Sequence, residues 1–191
     1  MSRRGQVVVI VAVVLMLGLL LLALAVDGGR LYLTRASLRR GAQAAADAGI
    51  GYVADEMVTL AVPRQTEAAG LPACLPDGDY GAEGGACTAT PQAADIHHWL
   101  TDDDRATLVG PGVQATAQAV ASSYAGLNGI QAGEAGVEIL GLDYPHDHDP
   151  AAENLTFLVA VTRRVAILLA GLLDTDWVRL QVEASSDIPQ R

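Results

Sequence analysis

Residues 7–26 form an unbroken run of twenty apolar side chains, in which Gly18 is the sole glycine. A helix rises about 1.5 Å per residue, so this run spans roughly 30 Å, the hydrocarbon thickness of a bilayer. The first part is β-branched (Val7, Val8, Val9, Ile10, Val11) and a later part is Leu19, Leu20, Leu21 and Leu22. Both are stable as helix in lipid, where the backbone must satisfy itself. Arg3 and Arg4 precede the run, and Ala23-Leu24-Ala25 has the small residues of a cleavage site. Secretory apolar regions are shorter, however, at about 7–15 residues. Ser2-Arg3-Arg4 also fits the start of a twin-arginine signal, but the run that follows is very apolar. The expectation is a single transmembrane helix at 7–26 behind a short cytoplasmic tail at 1–6.

Arginines flank the run on both sides, Arg3 and Arg4 before it and Arg30, Arg35, Arg39 and Arg40 after it. The positive-inside count therefore does not fix orientation. Three features favour an extracytoplasmic carboxyl-terminal domain. The leading tail is short. All 22 acids follow the run, so beyond it ten arginines against 22 acids leave a net charge of −12. Cys74 and Cys87 stand close enough to pair in an oxidising exterior, which would contribute about 3 kcal/mol on the chain-entropy model. The expected location is the cytoplasmic membrane.

The chain contains no lysine, and its net charge is −10. With no basic surplus to neutralise phosphates, nucleic acid is excluded as a general partner. One Phe, two Trp and five Tyr leave the core to Ala, Val, Leu and Ile. The abundance of Ala, Arg and Gly with no Lys also fits a GC-rich coding bias.

A helix is expected to continue over 27–62, with Asp27-Gly28-Gly29 as a kink or hinge and Pro63 as its stop. Within it Gly41, Ala45 and Gly49 recur every four residues and share one face. Small residues let another backbone approach closely. That face suits either a partner helix or the protein's own sheet. Residues 63–111 read as an irregular insertion holding Cys74 and Cys87, with a turn or two of helix near 96–105. There Asp102, Asp103 and Asp104 either cap a helix or sit in water.

Residues 112–191 read as an α+β domain. Val113, Ala117, Val120, Tyr124 and Leu127 make an amphipathic stripe, ended by Asn128-Gly129. Strands are expected at 137–142 and 154–162, the latter with Leu155, Phe157, Val159 and Val161 on one face. Residues 164–173 read as an apolar helix, too short to span a membrane, that covers the sheet or touches the bilayer. Val178, Leu180, Val182 and Ala184 alternate with polar residues in a final half-buried strand. The predicted fold is thus α+β, a long amino-terminal transmembrane helix continuing into a small helix-plus-sheet domain.

Chemistry-bearing patterns are sparse. His146-Asp147-His148-Asp149 lies between Pro145 and Pro150. Its imidazoles and carboxylates are the one metal-like cluster, with His146 and His148 as candidate ligands. Such a tight loop aims neighbours apart, so a solvated acidic turn is the favoured reading and no metal or cofactor is assigned. His97 and His98 beside Trp99 are weaker. Two cysteines without a CxxC do not make a structural zinc site. No nucleophile elbow, Walker loop or dinucleotide fingerprint occurs. Asn154-Leu155-Thr156 matches the short glycosylation acceptor pattern. The expectation is a protein that is not an enzyme.

Taken in order, Arg4-Gly5-Gln6, the apolar span, Asp27, Gly29, Arg30, Leu31, Tyr32, Arg35, Leu38 and an Ala-rich run ending in Gly49 resemble the TadE/TadG-like proteins of tight-adherence (Flp) pilus assembly. Asp27, Gly29, Arg30 and Tyr32 carry the motif. The closing segment, a strand, a helix with Gly171 and a last strand ending Val182-Glu183-Ala184, is also similar to that family. The resemblance implies a single-pass structural or assembly component of a pilus or secretion apparatus. Its partners would be the membrane and other apparatus proteins, with a homo-oligomer possible. Two departures stand out. Ile10 occupies the position five residues beyond Gly5 where prepilin-like members have Glu. Gln43 replaces an acid of the family's Ala-rich segment. The competing expectations are a pilin-like filament subunit packing through the Gly41, Ala45, Gly49 face, and an exported metal-binding or enzymatic module using His146 and His148.

Overall fold

A computed structural model describes residues 3–68, 96, 99–133, 136–146, 154–169 and 176–189. One helix dominates it. α1, Arg3–Ala68, is continuous for 66 residues, about 100 Å of helix. It passes through Asp27-Gly28-Gly29 without a break and runs beyond Pro63, so the expected stop is not realised. Pro63 removes one backbone donor but leaves its fixed φ compatible with helix. The Thr66 hydroxyl donates to the Pro63 carbonyl at 2.8 Å, and Arg64 is tied to the next helix, so the last turn is held from both sides.

The two halves of α1 meet different surroundings. Its most apolar window has a mean hydropathy of 3.4 and none of it is buried. The helix is long and apolar enough to cross a membrane, and this window takes no part in the domain core. From Leu38 onward the helix enters the core. Leu38, Ala42, Ala45, Ala46, Ile50, Val53, Met57 and Ala61 are buried at helical spacing.

Two short helices follow. α2, Asp102–Leu108, begins at Thr101, whose hydroxyl accepts from the Asp104 amide while the Asp104 carboxylate accepts from the Thr101 amide. This reciprocal pair satisfies two orphan donors. α3, Pro111–Leu127, starts with proline in its first turn and closes at Asn128, followed by Gly129 at φ 79°, the left-handed stop expected from the sequence.

The face of α3 turned to α1 is Val113, Ala117, Ala121 and Ala125. The anticipated stripe shares Val113 and Ala117 with it, and Val120 is part-buried, but Tyr124 is half exposed and Leu127 is 78% exposed. Methyl-sized side chains on both helices let the axes close together, and the larger residues are left on the flank.

The sheet is a three-stranded antiparallel meander, β1 (Val137–Asp143), β2 (Asn154–Ala166) and β3 (Trp177–Pro189), in the order β1-β2-β3. Leu155, Phe157, Val159 and Val161 of β2 are buried together, as are Val182 and Ala184 of β3. In β1 the register shifts between Ile139 and Gly141. The extra Leu140 flips the alternation, so Val137, Ile139 and Leu142 all reach the core. β2 extends to Ala166, where Val165 pairs with Val178 and Ala166 with Trp177. The expected helix at 164–173 is therefore overturned over 164–166 by a strand. Apolar character there serves sheet pairing, and short apolar runs do not separate the two by pattern. α1 packs against β2, β3 and α3.

Candidate functional site at the helix exit

Asp27 is the first residue beyond the apolar run, and it is only 5% exposed. Its Oδ1 accepts from the Leu168 amide at 2.8 Å and its Oδ2 from the Leu169 amide at 3.0 Å. A carboxylate between two backbone donors is a charge-assisted clamp, and it satisfies amides just past the end of β2. The chain just past the end of β2 is therefore fixed to α1 where the apolar run ends. The sequence marks Asp27, but nothing local in it marks the partners, which lie 141 and 142 residues away.

The other motif residues gather on the same stretch without sharing a role. Arg30 lines an open groove of about 430 Å³ with Leu33, Thr34, Arg163, Arg164 and Val165. Tyr32 is 74% exposed. Among the described residues Gly29 has nothing within 4 Å of where a Cβ would stand, so no packing among them demands a glycine there. The guanidinium carbon of Arg164 sits 4.8 Å from the centre of the Trp177 ring, a cation–π arrangement.

The Gly41, Ala45, Gly49 face is occupied by the chain itself. A Cβ on Gly41 would stand 2.6 Å from Ile130 Cδ1, and one on Gly49 would stand 2.7 Å from Phe157 Cε2. Ala45 is fully buried. The stripe is used in closing the domain, which removes it as a free docking face for a partner helix. Phe157 in turn stacks on Tyr144, with ring centroids 5.9 Å apart and planes at 17°. The Tyr144 hydroxyl donates to the Leu108 carbonyl at 3.1 Å. Burial pushes the Tyr144 phenol well above its usual range.

Gln43 donates to Asp47 Oδ1 at 2.9 Å and to the Ser185 carbonyl at 3.2 Å. The amide at this position thus joins α1 to β3, a use that a carboxylate could not make because it has no donor.

Arg64 and Asp104 form a bidentate pair joining the end of α1 to α2, and Arg64 also donates to the Trp99 carbonyl at 3.2 Å. The Arg64 guanidinium, with the Thr101 hydroxyl and amide, holds the Asp104 carboxyl well below the usual carboxylate range. The same hydrogen bond raises Arg64. Asp104 is buried, whereas Asp102 and Asp103 are exposed. Of the three aspartates, one is a structural anchor, which the run DDD did not single out.

His146 Nδ1 lies 2.9 Å from Asp143 Oδ2 on the surface. His148, Cys74, Cys87, Gly171, His97 and His98 lie outside the described residues. Among the described residues no group of three or more His, Cys, Asp or Glu could hold a metal ion.

Residues 5–62 match the family model described as putative Flp pilus-assembly TadE/G-like, in agreement with the resemblance read from the sequence. The match covers the apolar span, the Asp27 to Tyr32 motif and the α1 segment that packs in the core, and it stops short of Pro63, α2, α3 and the sheet. The comparison with curated proteins finds no match, and neither does the comparison with solved structures.

Proposed function

We propose that this chain is a single-pass, membrane-anchored component that assists assembly of a Tad/Flp-type pilus or secretion apparatus, with its helix-plus-sheet domain held outside the cytoplasmic membrane and no catalytic step of its own. The observation that carries the reading is the coincidence of three things on α1. The segment matching the pilus-assembly family contains the exposed apolar span, and the same helix goes on to form the floor of the domain core. A helix that is both anchor and core element fixes its domain at a set height above the bilayer, as a scaffold requires. The acidic remainder, with ten arginines against 22 acids beyond the span, supports display in solvent, and the partners are other proteins of the apparatus.

The test is topology combined with assembly. The full chain should stay in the membrane pellet after alkaline carbonate washing, and protease added to spheroplasts should remove the domain. Deleting the gene should abolish surface pili, with restoration by the intact chain but not by residues 27–191 fused to a cleavable signal. Full restoration by the released domain, or protection from external protease, would reject the anchored extracytoplasmic reading.

A further inference from the structure

We propose that the membrane-proximal end of the domain is a belt of arginines that seats it on the anionic lipid surface crossed by its own anchor. This rests on the anchor reading above, in which Asp27 marks the level where hydrocarbon gives way to headgroups. Three contacts set the direction of the sheet along α1. Asp27 accepts from the Leu168 amide, Gln43 donates to the Ser185 carbonyl, and Gly49 lies against Phe157. β2 therefore runs back along α1 toward the membrane and β3 runs away from it. At about 1.5 Å per helical residue and 3.3 Å per strand residue, Arg30 stands roughly 5 Å and Arg35 roughly 12 Å above Asp27, while Arg163 and Arg164 stand roughly 13–17 Å above it. Arg179 pairs with Arg164 and shares its height. A headgroup layer is about 5–8 Å deep and the Debye length about 8–10 Å, so all five arginines lie within reach of a charged surface.

These charges surround the long axis of the domain and do not meet. Alternation along β2 puts Arg163 on the face of buried Val161, toward α1, and Arg164 on the opposite face, where Arg179 stands directly across from it. Like charges in that position cost stability, and among the described residues none of the five is paired with an acid. Among the described residues at these heights Asp176 is the one exposed carboxylate, because Asp27 is 5% exposed and engaged by backbone amides. The acids collect at the other end. Asp55, Glu56 and Glu67 lie far along α1, Asp102 and Asp103 belong to α2 packed against it, and Asp187 stands opposite Thr156. The region beyond the span is strongly acidic in sum, yet the fold sorts that charge by height and leaves the end nearest the bilayer cationic. Arginines spread around an axis complement a flat anionic surface, whereas a single phosphate would need them to converge.

The test uses the full chain in mixed vesicles of phosphatidylglycerol and phosphatidylcholine, with spin-labelled forms of each lipid reporting which is held at the protein boundary. Phosphatidylglycerol should be enriched there at about 0.1 M salt, and the enrichment should be lost at about 1 M, where the Debye length falls to about 3 Å. Arg30→Gln, Arg35→Gln, Arg163→Gln, Arg164→Gln and Arg179→Gln together should remove most of it. Lysine at the same five positions should keep it, since a diffuse surface reads charge and not the guanidinium fork. Arg105→Gln, on α2 at the far end, should leave it unchanged. No enrichment in the wild type, or enrichment that survives the five glutamines, overturns the proposal. If the glutamine chain melts early, the salt series on the wild type decides, and enrichment that persists at high salt overturns it equally. A dimeric wild type without enrichment also overturns it, assigning the belt to the acidic end of a second copy. Vesicles that float without the chain would refute the anchor itself, whereas co-floating chain without enrichment refutes only the belt.

Discussion

The Asp27 carboxylate and the Leu168 amide, 2.8 Å apart and separated by 141 residues of chain, join the end of the apolar span to the segment just past β2. Asp27→Ala should release that segment, costing roughly 1–3 kcal/mol because two amides lose their acceptor. Hydrogen exchange in detergent micelles should accelerate at Leu168 and Leu169 with little change in β1. Gly29→Ala, two residues away, should be neutral or stabilising, since its Cβ would meet open space and alanine favours helix by up to about 1 kcal/mol. Equal damage from both would show that the clamp has no special role.

Gly49 and Gly51 make a second matched pair. A Cβ on Gly49 would press on the Phe157 ring at 2.7 Å, whereas one on Gly51 has nothing within 4 Å. Gly49→Ala should therefore destabilise by about 1–3 kcal/mol through overpacking, and Gly51→Ala should leave the melting temperature unchanged or raised. Ala45→Leu should impair folding of the monomer itself, because Ala45 is fully buried. Normal folding with failed assembly in Ala45→Leu would restore the partner-helix reading of the stripe.

Asp104 supplies a pH signature. Its folded-state carboxyl is held below the unfolded value of about 3.9, so its stabilisation is present above that pH. It is lost as pH falls from about 4 toward the depressed value. Asp104→Asn should be less stable than the wild type at pH 7, with the gap narrowing below pH 4. A gap that stays constant into that acid window would contradict the pairing with Arg64.

Tyr144 works in the opposite pH direction. Burial raises its phenol, so the neutral form is the one the fold accommodates. Its stabilisation holds below about pH 10, the unfolded value, and declines as pH rises beyond it. Tyr144→Phe should cost about 0.5–1.5 kcal/mol near neutrality through the orphaned Leu108 carbonyl, and should flatten the alkaline loss. Thermal melts at pH 7 and 11 would read both effects.

Much of this architecture is local information. Twenty apolar residues followed by Asp27 announce a span and its end. Asn128-Gly129 announces the close of α3, and the alternation from Leu155 to Val161 announces a buried strand face. These signals work because helix and strand periodicity, and the left-handed freedom of glycine at Gly129, act over a few residues. The 164–166 segment shows where that stops. Its apolar residues suit a helix equally well, and only the register with 177–179 of β3 makes them strand. The α3 face was likewise set by what α1 offered, since alanines facing alanines allow a closer approach than Tyr124 and Leu127 would permit.

The sequence by itself determined the membrane-compatible helix, the family-like motif that follows it, the α+β class and the absence of a basic surplus, because each is a property of contiguous residues. Tertiary structure alone decided that α1 runs unbroken past Pro63, that Gly41, Ala45 and Gly49 serve the protein's own core, that Asp104 of three adjacent aspartates is the anchor, and that Asp27 holds the segment just past β2. Those outcomes depend on which distant groups arrive at the same place, and a chain's pattern carries no record of a partner more than a hundred residues away.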